Sequence, residues 1–105
     1  MKIGIDMTYI PRFENKDALA KKVLNDEELK VYLVAPEKAK YLASRFALKE
    51  AFIKANEFSI LGVDLKEIIT KKKDNGAIYI EYKSKIYSCS LSHENKYCVG
   101  VVLND

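Results

Sequence analysis

YLASRFALKEAFIKA, residues 41–55, reads as a helix with almost no polar side. At about 100° per residue, Leu42, Phe46 and Ile53 fall on one flank, with Ala47 and Ala51 beside them. Ala55 and Leu48 lie beyond, and Phe52 closes a nearly complete apolar girdle. Such a helix is buried on most sides. Yet it carries four charges in two sets: Arg45 beside Lys49, and Glu50 about 40° from Lys54. A carboxylate in these surroundings must pair or bind a cation, because burying it ionised and alone costs several kcal/mol. Pro36, whose missing N–H suits a first turn, marks the predicted start of the helix, which should reach about Asn56.

Toward the amino terminus, residues 2–7 alternate. Ile3, Ile5 and Met7 share one side and Lys2, Gly4 and Asp6 the other, the period of a strand whose apolar face is buried. Pro11 closes that element. Asn15 can cap a helix running to about Leu24, and Asn25 with Glu28 three residues on is a capping-box pattern for a short second helix. After Gly62, residues 67–72 and 77–82 are β-rich runs around Asp74-Asn75-Gly76, a hairpin signal. Residues 85–92 and 97–103 flank a second turn at 93–96. The order of strand, three helices and about four strands predicts an α+β fold, with helices packed on one face of a mainly antiparallel sheet around the long buried helix. The lysines at 71–73 read as a solvated edge that discourages strand addition.

The chain has 105 residues, of which 49% are hydrophobic and 31% charged, a composition that folds as one domain over 1–105. Its formal net charge of +3 favours an acidic partner without demanding a polyanion. All but two of the eighteen cations are lysines. Arg12 and Arg45 therefore stand out, since guanidinium is the preferred fork for carboxylate and phosphate. The opening MKIGIDMTYI lacks the apolar run of a signal peptide, and no stretch approaches the roughly 18 to 20 apolar residues of a membrane span, so a cytoplasmic location is expected. In that compartment Cys89 and Cys98 read as small core residues rather than a disulfide or a zinc site with His93.

Four positions carry candidate chemistry. Glu50 can form an i,i+4 pair with Lys54, oriented the favourable way; alternatively it is a metal ligand and Lys54 a phosphate contact. Asp6, a second acid on the first strand, is either simply solvated or the other ligand. Two carboxylates leave most of an octahedral Mg²⁺ shell open for water and substrate phosphate. His93 lies in the polar run Ser92-His93-Glu94-Asn95, where imidazole is either merely exposed or suited to proton handling and phosphate contact. Ser88, Ser90 and Ser92 share one strand face. No G-x-x-x-x-G-K-[ST], G-x-G-x-x-G or G-x-S-x-G occurs, which excludes the familiar nucleotide loops and the hydrolase elbow.

Three motifs in order, spanning residues 4–97, resemble the holo-acyl-carrier-protein synthase family of 4′-phosphopantetheinyl transferases. They are Gly4-Ile5-Asp6 with Arg12, then Arg45-Phe46-x-x-Lys49-Glu50-Ala51-x-x-Lys54-Ala55, then Ser90-x-Ser92-His93 with Tyr97. The resemblance implies the phosphopantetheinyl-transferase fold. It implies Mg²⁺-dependent transfer of 4′-phosphopantetheine from coenzyme A to a serine of apo-acyl carrier protein, releasing adenosine 3′,5′-bisphosphate and serving fatty acid biosynthesis. By the same resemblance Asp6 and Glu50 hold Mg²⁺ at the coenzyme A diphosphate and Lys54 stabilises the departing phosphate oxygen. Arg45, Ser92 and His93 hold coenzyme A phosphates or adenine. The base for the acceptor serine is first a water relayed by Asp6 or Glu50, and second His93. Arg12 and the basic first helix, with Lys16 and Lys22, meet the acidic carrier protein.

The family's proteins are usually homotrimers with coenzyme A between subunits, and so much apolar helix would itself gain by burial against copies of the chain. No nucleic acid or membrane partner is expected. The alternative from another class is a small basic binding module for an acidic protein or RNA, in which Asp6 and Glu50 only pair with lysines. Two departures stand out. The glycine-rich K-A-x-G-x-G of the family is here Lys54-Ala55-Asn56-Glu57-Phe58-Ser59, with Asn56 expected to end the helix in the left-handed conformation. The common G-K-P after the hairpin is here Gly76-Ala77-Ile78.

Overall fold

Gly4 and Gly100 let the long helix lie directly on the sheet. In the computed structural model, which describes residues 1–58 and 62–105, a Cβ on Gly4 would sit 1.8 Å from Ala51 O, and one on Gly100 would sit 3.0 Å from Leu48 N. The chain runs β1 (Lys2–Tyr9), a 3₁₀ turn (Ile10–Phe13), α1 (Asp17–Val23), α2 (Asp26–Val34), α3 (Lys38–Asn56), a second 3₁₀ turn (Leu65–Glu67), then β2 (Ile69–Lys72), β3 (Ile78–Tyr82), β4 (Lys85–Glu94) and β5 (Tyr97–Asn104). The strands form one antiparallel sheet in the order β1-β5-β4-β3-β2, and α3 lies against β1 and β5. This is the expected α+β arrangement, with the predicted long helix ending at Asn56. Among the described residues no helix is long and apolar enough to cross a membrane.

The period of β1 is as expected, but its faces are reversed. Ile3, Ile5 and Met7 are 63%, 57% and 64% exposed, whereas Gly4 and Thr8 are buried against α3 and Asp6 is half-buried. Backbone-to-backbone approach is the reason: a helix this close admits only small or hydrogen-bonding side chains, so the bulky apolar residues turn outward. Thr8 Oγ1 donates to Ala43 O at 3.0 Å and fixes the crossing. Apart from Phe46, which is partly exposed, the apolar girdle of α3 is buried. Phe52 packs edge-on against Tyr87 at 4.8 Å.

Several boundaries move: α3 begins at Lys38 with Glu37 at its N-cap, so Pro36 precedes the helix instead of lying in its first turn, and β2 begins at Ile69. Asn15 sits in the left-handed region at φ 55° and leaves the N-cap of α1 to Lys16. β4 continues through His93 to Glu94, leaving only Asn95 and Lys96 in the turn. At the end of α3 the left-handed residue is Glu57 (φ 57°), while Asn56 stays helical and donates from Nδ2 to Phe52 O. The Asn25–Glu28 capping box forms in both directions, at 2.8 and 2.9 Å. The predicted hairpin turn carries Gly76 at φ 88°. Lys71–Lys73 are exposed on and beside the edge strand β2. Ser59, Ile60 and Leu61 of the glycine-poor segment lie outside the described residues.

Glu57 occupies the position where the family pattern has its first glycine. A left-handed non-glycine residue costs about 1 kcal/mol, and the exposed Lys2–Glu57 ion pair at 2.7 Å offsets little of it. Glu57→Gly is therefore expected to raise the melting temperature by about 4–8 °C, read by calorimetry.

Candidate active site

β1 and α3 together bring Asp6 and Glu50 to one cleft of about 510 Å³, whose lining also includes Thr8, Arg12 and Phe46. The expected Glu50–Lys54 pair does not form. Lys54 Nζ instead donates to Asp6 Oδ1 at 3.0 Å and to Ile5 O at 3.1 Å. Glu50 Oε1 is buried without a hydrogen-bond partner. Burial, and secondarily the Asp6 charge, push the Glu50 carboxyl above its usual range, with Lys54 opposing. Two acids forty-four residues apart in sequence thus share one electrostatic environment. They are hard oxygen donors with room beside them, one with an unsatisfied oxygen, which fits a Mg²⁺-type ion. Among the described residues no cluster of three or more His, Cys, Asp or Glu could hold a metal, so these two would supply the protein ligands.

Arg45 faces elsewhere. Five residues along a helix turn through about 140° net, which places it on the other flank of α3 from Glu50. There it lines a groove of about 950 Å³ between α2, α3 and the sheet, together with Tyr41, Leu91 and His93. Its guanidinium is buried, lies 4.4 Å from the Tyr41 ring centroid and donates from Nη1 to Ser44 Oγ at 3.0 Å. Arg45 Nε has no hydrogen-bond partner. An arginine held over an aromatic ring, with a donor unspent, is suited to an anion entering the groove. His93 is exposed at the groove wall and shares a strand face with Leu91. Ser92 alternates to the opposite face with Ser88 and Ser90, so this chain does not bring Ser92 to Arg45 and His93.

Arg12 lines the carboxylate cleft and rests over the Tyr9 ring at 5.9 Å. Lys16 and Lys22 are exposed on and beside α1, where residues 12–24 carry four cations against two acids. The cysteines behave as core residues: both are free, and burial pushes the Cys89 thiol up to about 11.

One polar group was not foreseen. Lys49 is fully buried and donates to Glu28 Oε1 at 2.6 Å, Val23 O at 2.7 Å and Leu65 O at 3.0 Å. Glu28 Oε2 accepts from the backbone N–H and hydroxyl of Thr70. Burial drives the Lys49 pKa down, and Glu28 opposes that. The pair ties α2, α3 and β2 together beneath the groove. A lysine inside an apolar girdle is the sequence signal that a buried counter-charge exists, but nothing in the spacing names Glu28.

Residues 2–102 match the model of the 4′-phosphopantetheinyl transferase superfamily. Holo-[acyl-carrier-protein] synthase from Mycoplasmopsis pulmonis is 37% identical over 101 residues, covering 95% of this chain and 86% of that protein. Among solved structures, holo-[acyl-carrier-protein] synthase from Neisseria meningitidis aligns with TM-score 0.86 at 29% identity, over 96% of this chain and 94% of the other. The Bacillus anthracis holo-(acyl-carrier-protein) synthase in complex with CoA (3′,5′-ADP) aligns with TM-score 0.86 at 28% identity, over 96% and 92%.

Proposed function

Because the chain belongs to the holo-[acyl-carrier-protein] synthases of the 4′-phosphopantetheinyl transferase superfamily, we propose that it moves 4′-phosphopantetheine from coenzyme A to a serine of apo-acyl carrier protein with Mg²⁺ held by Asp6 and Glu50. The observation that carries the metal assignment is the shared cleft, in which Glu50 Oε1 is buried and unpartnered. Held by Asp6 and Glu50, a divalent ion would supply positive charge to offset that of the diphosphate and of its leaving oxygen. Lys54 adds a cation at the edge of the same cleft, suited to the departing phosphate oxygen. Arg45 and His93 present donors in the larger groove for the nucleotide phosphates or adenine, whereas Ser92, on the opposite face of β4, takes no part in that groove. Asp6 or Glu50 relays the proton of the acceptor serine through water, with His93 the second choice as base. Arg12, Lys16 and Lys22 steer the acidic carrier toward the cleft that Arg12 lines. The enzyme would act in the cytoplasm, equipping a carrier for fatty acid biosynthesis.

Weighing apo-acyl carrier protein after incubation with coenzyme A and Mg²⁺ tests the activity. A gain of one phosphopantetheine, abolished by EDTA, is expected. An unchanged carrier mass beside tight RNA binding would favour a binding module.

The two clefts share no lining residue among those described, yet one coenzyme A must touch both sets. We therefore read the complete site as lying between protomers of a homotrimer. The outward stripe of Ile3, Ile5 and Met7, paired in register with Leu103, Val101 and Val99, is the surface that self-association would cover. This replaces the expected source of apolar surface, since α3 is already buried. Glu50→Gln and Arg45→Ala proteins, each inactive alone, should regain activity when dissociated and reassembled together. Random assortment restores about one site in four. Absence of recovery would place each site within one chain.

A further inference from the structure

Glu50 and Lys54 stand one helical turn apart in the order that favours an ion pair, yet the ammonium passes over Glu50. It reaches β1 instead, 3.0 Å from Asp6 Oδ1 and 3.1 Å from Ile5 O, and Glu50 Oε1 is left buried and unpartnered. The Lys54 side chain is 55% exposed against 19% for Asp6, so the lysine is the member of the pair with room to move. On the reading that Asp6 and Glu50 hold a divalent ion, we propose that Lys54 is a placeholder whose ammonium occupies Asp6 in the metal-free enzyme and gives it up when the ion binds. One cation against two carboxylates is an incomplete balance, and a doubly charged ion completes it. Displaced from Asp6 but tethered to α3, the ammonium stays at the cleft edge where a phosphate would lie. Binding of the ion and release of the lysine are then a single event, and enzyme without metal has neither.

Free Mn²⁺ measured by electron paramagnetic resonance during titration of the full chain, with no coenzyme A or carrier present, tests the exchange. Lys54→Gln is expected to bind Mn²⁺ about two- to five-fold more tightly than wild type, the effect that a partly exposed ion pair supports. Lys54→Arg, which keeps a cation beside Asp6, should bind as wild type does. Amine labelling read by mass spectrometry gives a second measure: Lys54 should react faster when Mg²⁺ is added, and faster without Mg²⁺ in Asp6→Asn. Equal or weaker Mn²⁺ binding by Lys54→Gln, or labelling unmoved by Mg²⁺, overturns the placeholder while leaving the two-carboxylate site standing, provided that Asp6→Asn and Glu50→Gln lose the ion. If those two variants bind Mn²⁺ as wild type does, the carboxylate reading itself has failed and the placeholder falls with it.

Discussion

Glu50→Gln is expected to lower phosphopantetheine transfer by about a thousand-fold or more, the several kcal/mol that a metal's charge supplies to phosphoryl transfer, while the protein stays folded. Glutamine preserves shape and removes the charge. Its effect on stability should have the opposite sign to its effect on activity. Burial and Asp6 raise the carboxyl pKa of Glu50 in the folded state. A raised acid contributes stability below its unfolded pKa that is lost as pH rises through its folded pKa. Metal-free wild type should therefore lose stability across that window, and Glu50→Gln should lose less and melt a few degrees higher above it. Melting curves in EDTA from pH 4 to 8, alongside the transfer assay, check both halves. A variant that is inactive because it is unfolded would contradict the assignment.

Lys49→Met should do the reverse, damaging the fold before the chemistry. The substitution strands the Glu28 carboxylate among Thr70, Asn25 and apolar neighbours. Removing one partner of a buried ion pair costs about 3–5 kcal/mol, a large share of the roughly 5–15 kcal/mol that holds a domain together. At this size the melting temperature should fall by roughly 15 °C or more, or the chain should be unfolded at 37 °C. Adding Glu28→Gln removes the stranded charge while keeping a hydrogen-bonding side chain, so the double variant should be more stable than Lys49→Met alone. If Lys49→Met melts within a degree or two of wild type, the pair does not hold α2, α3 and β2 together.

The helix at residues 41–55 was legible because its girdle leaves so little room for solvent, and its two charged sets appear in space as spaced in sequence. What spacing could not supply was the partner of each charge. Lys54 prefers Asp6 to Glu50, and Lys49 prefers Glu28, because β1 and α2 approach α3 from far along the chain. The reversal of β1 has the same origin. Alternation fixes a period, but Gly4 decides which side meets the helix, and it does so by what it lacks. Lys83 and Ser84, both at positive φ between paired Tyr82 and Lys85, make a tight hairpin without an Asn-Gly signal. The polar run around His93 resembles a turn although it continues β4. Once that strand is extended, simple alternation separates Ser92 from His93. The division of the candidate site between two flanks of α3 was contained in the 140° between Arg45 and Glu50, but becomes evident only when the sheet shows that the flanks face different clefts.

Transfer by the proposed route requires Asp6 and Glu50 to act on one ion. Crystals grown with coenzyme A and Mn²⁺, measured at the manganese absorption edge, test this most directly. One anomalous peak within ligand distance of a carboxylate oxygen from each residue, with Lys54 withdrawn from Asp6, is the predicted result. A peak that touches only one of the two acids, or manganese elsewhere while the Asp6–Lys54 contact persists, would contradict it.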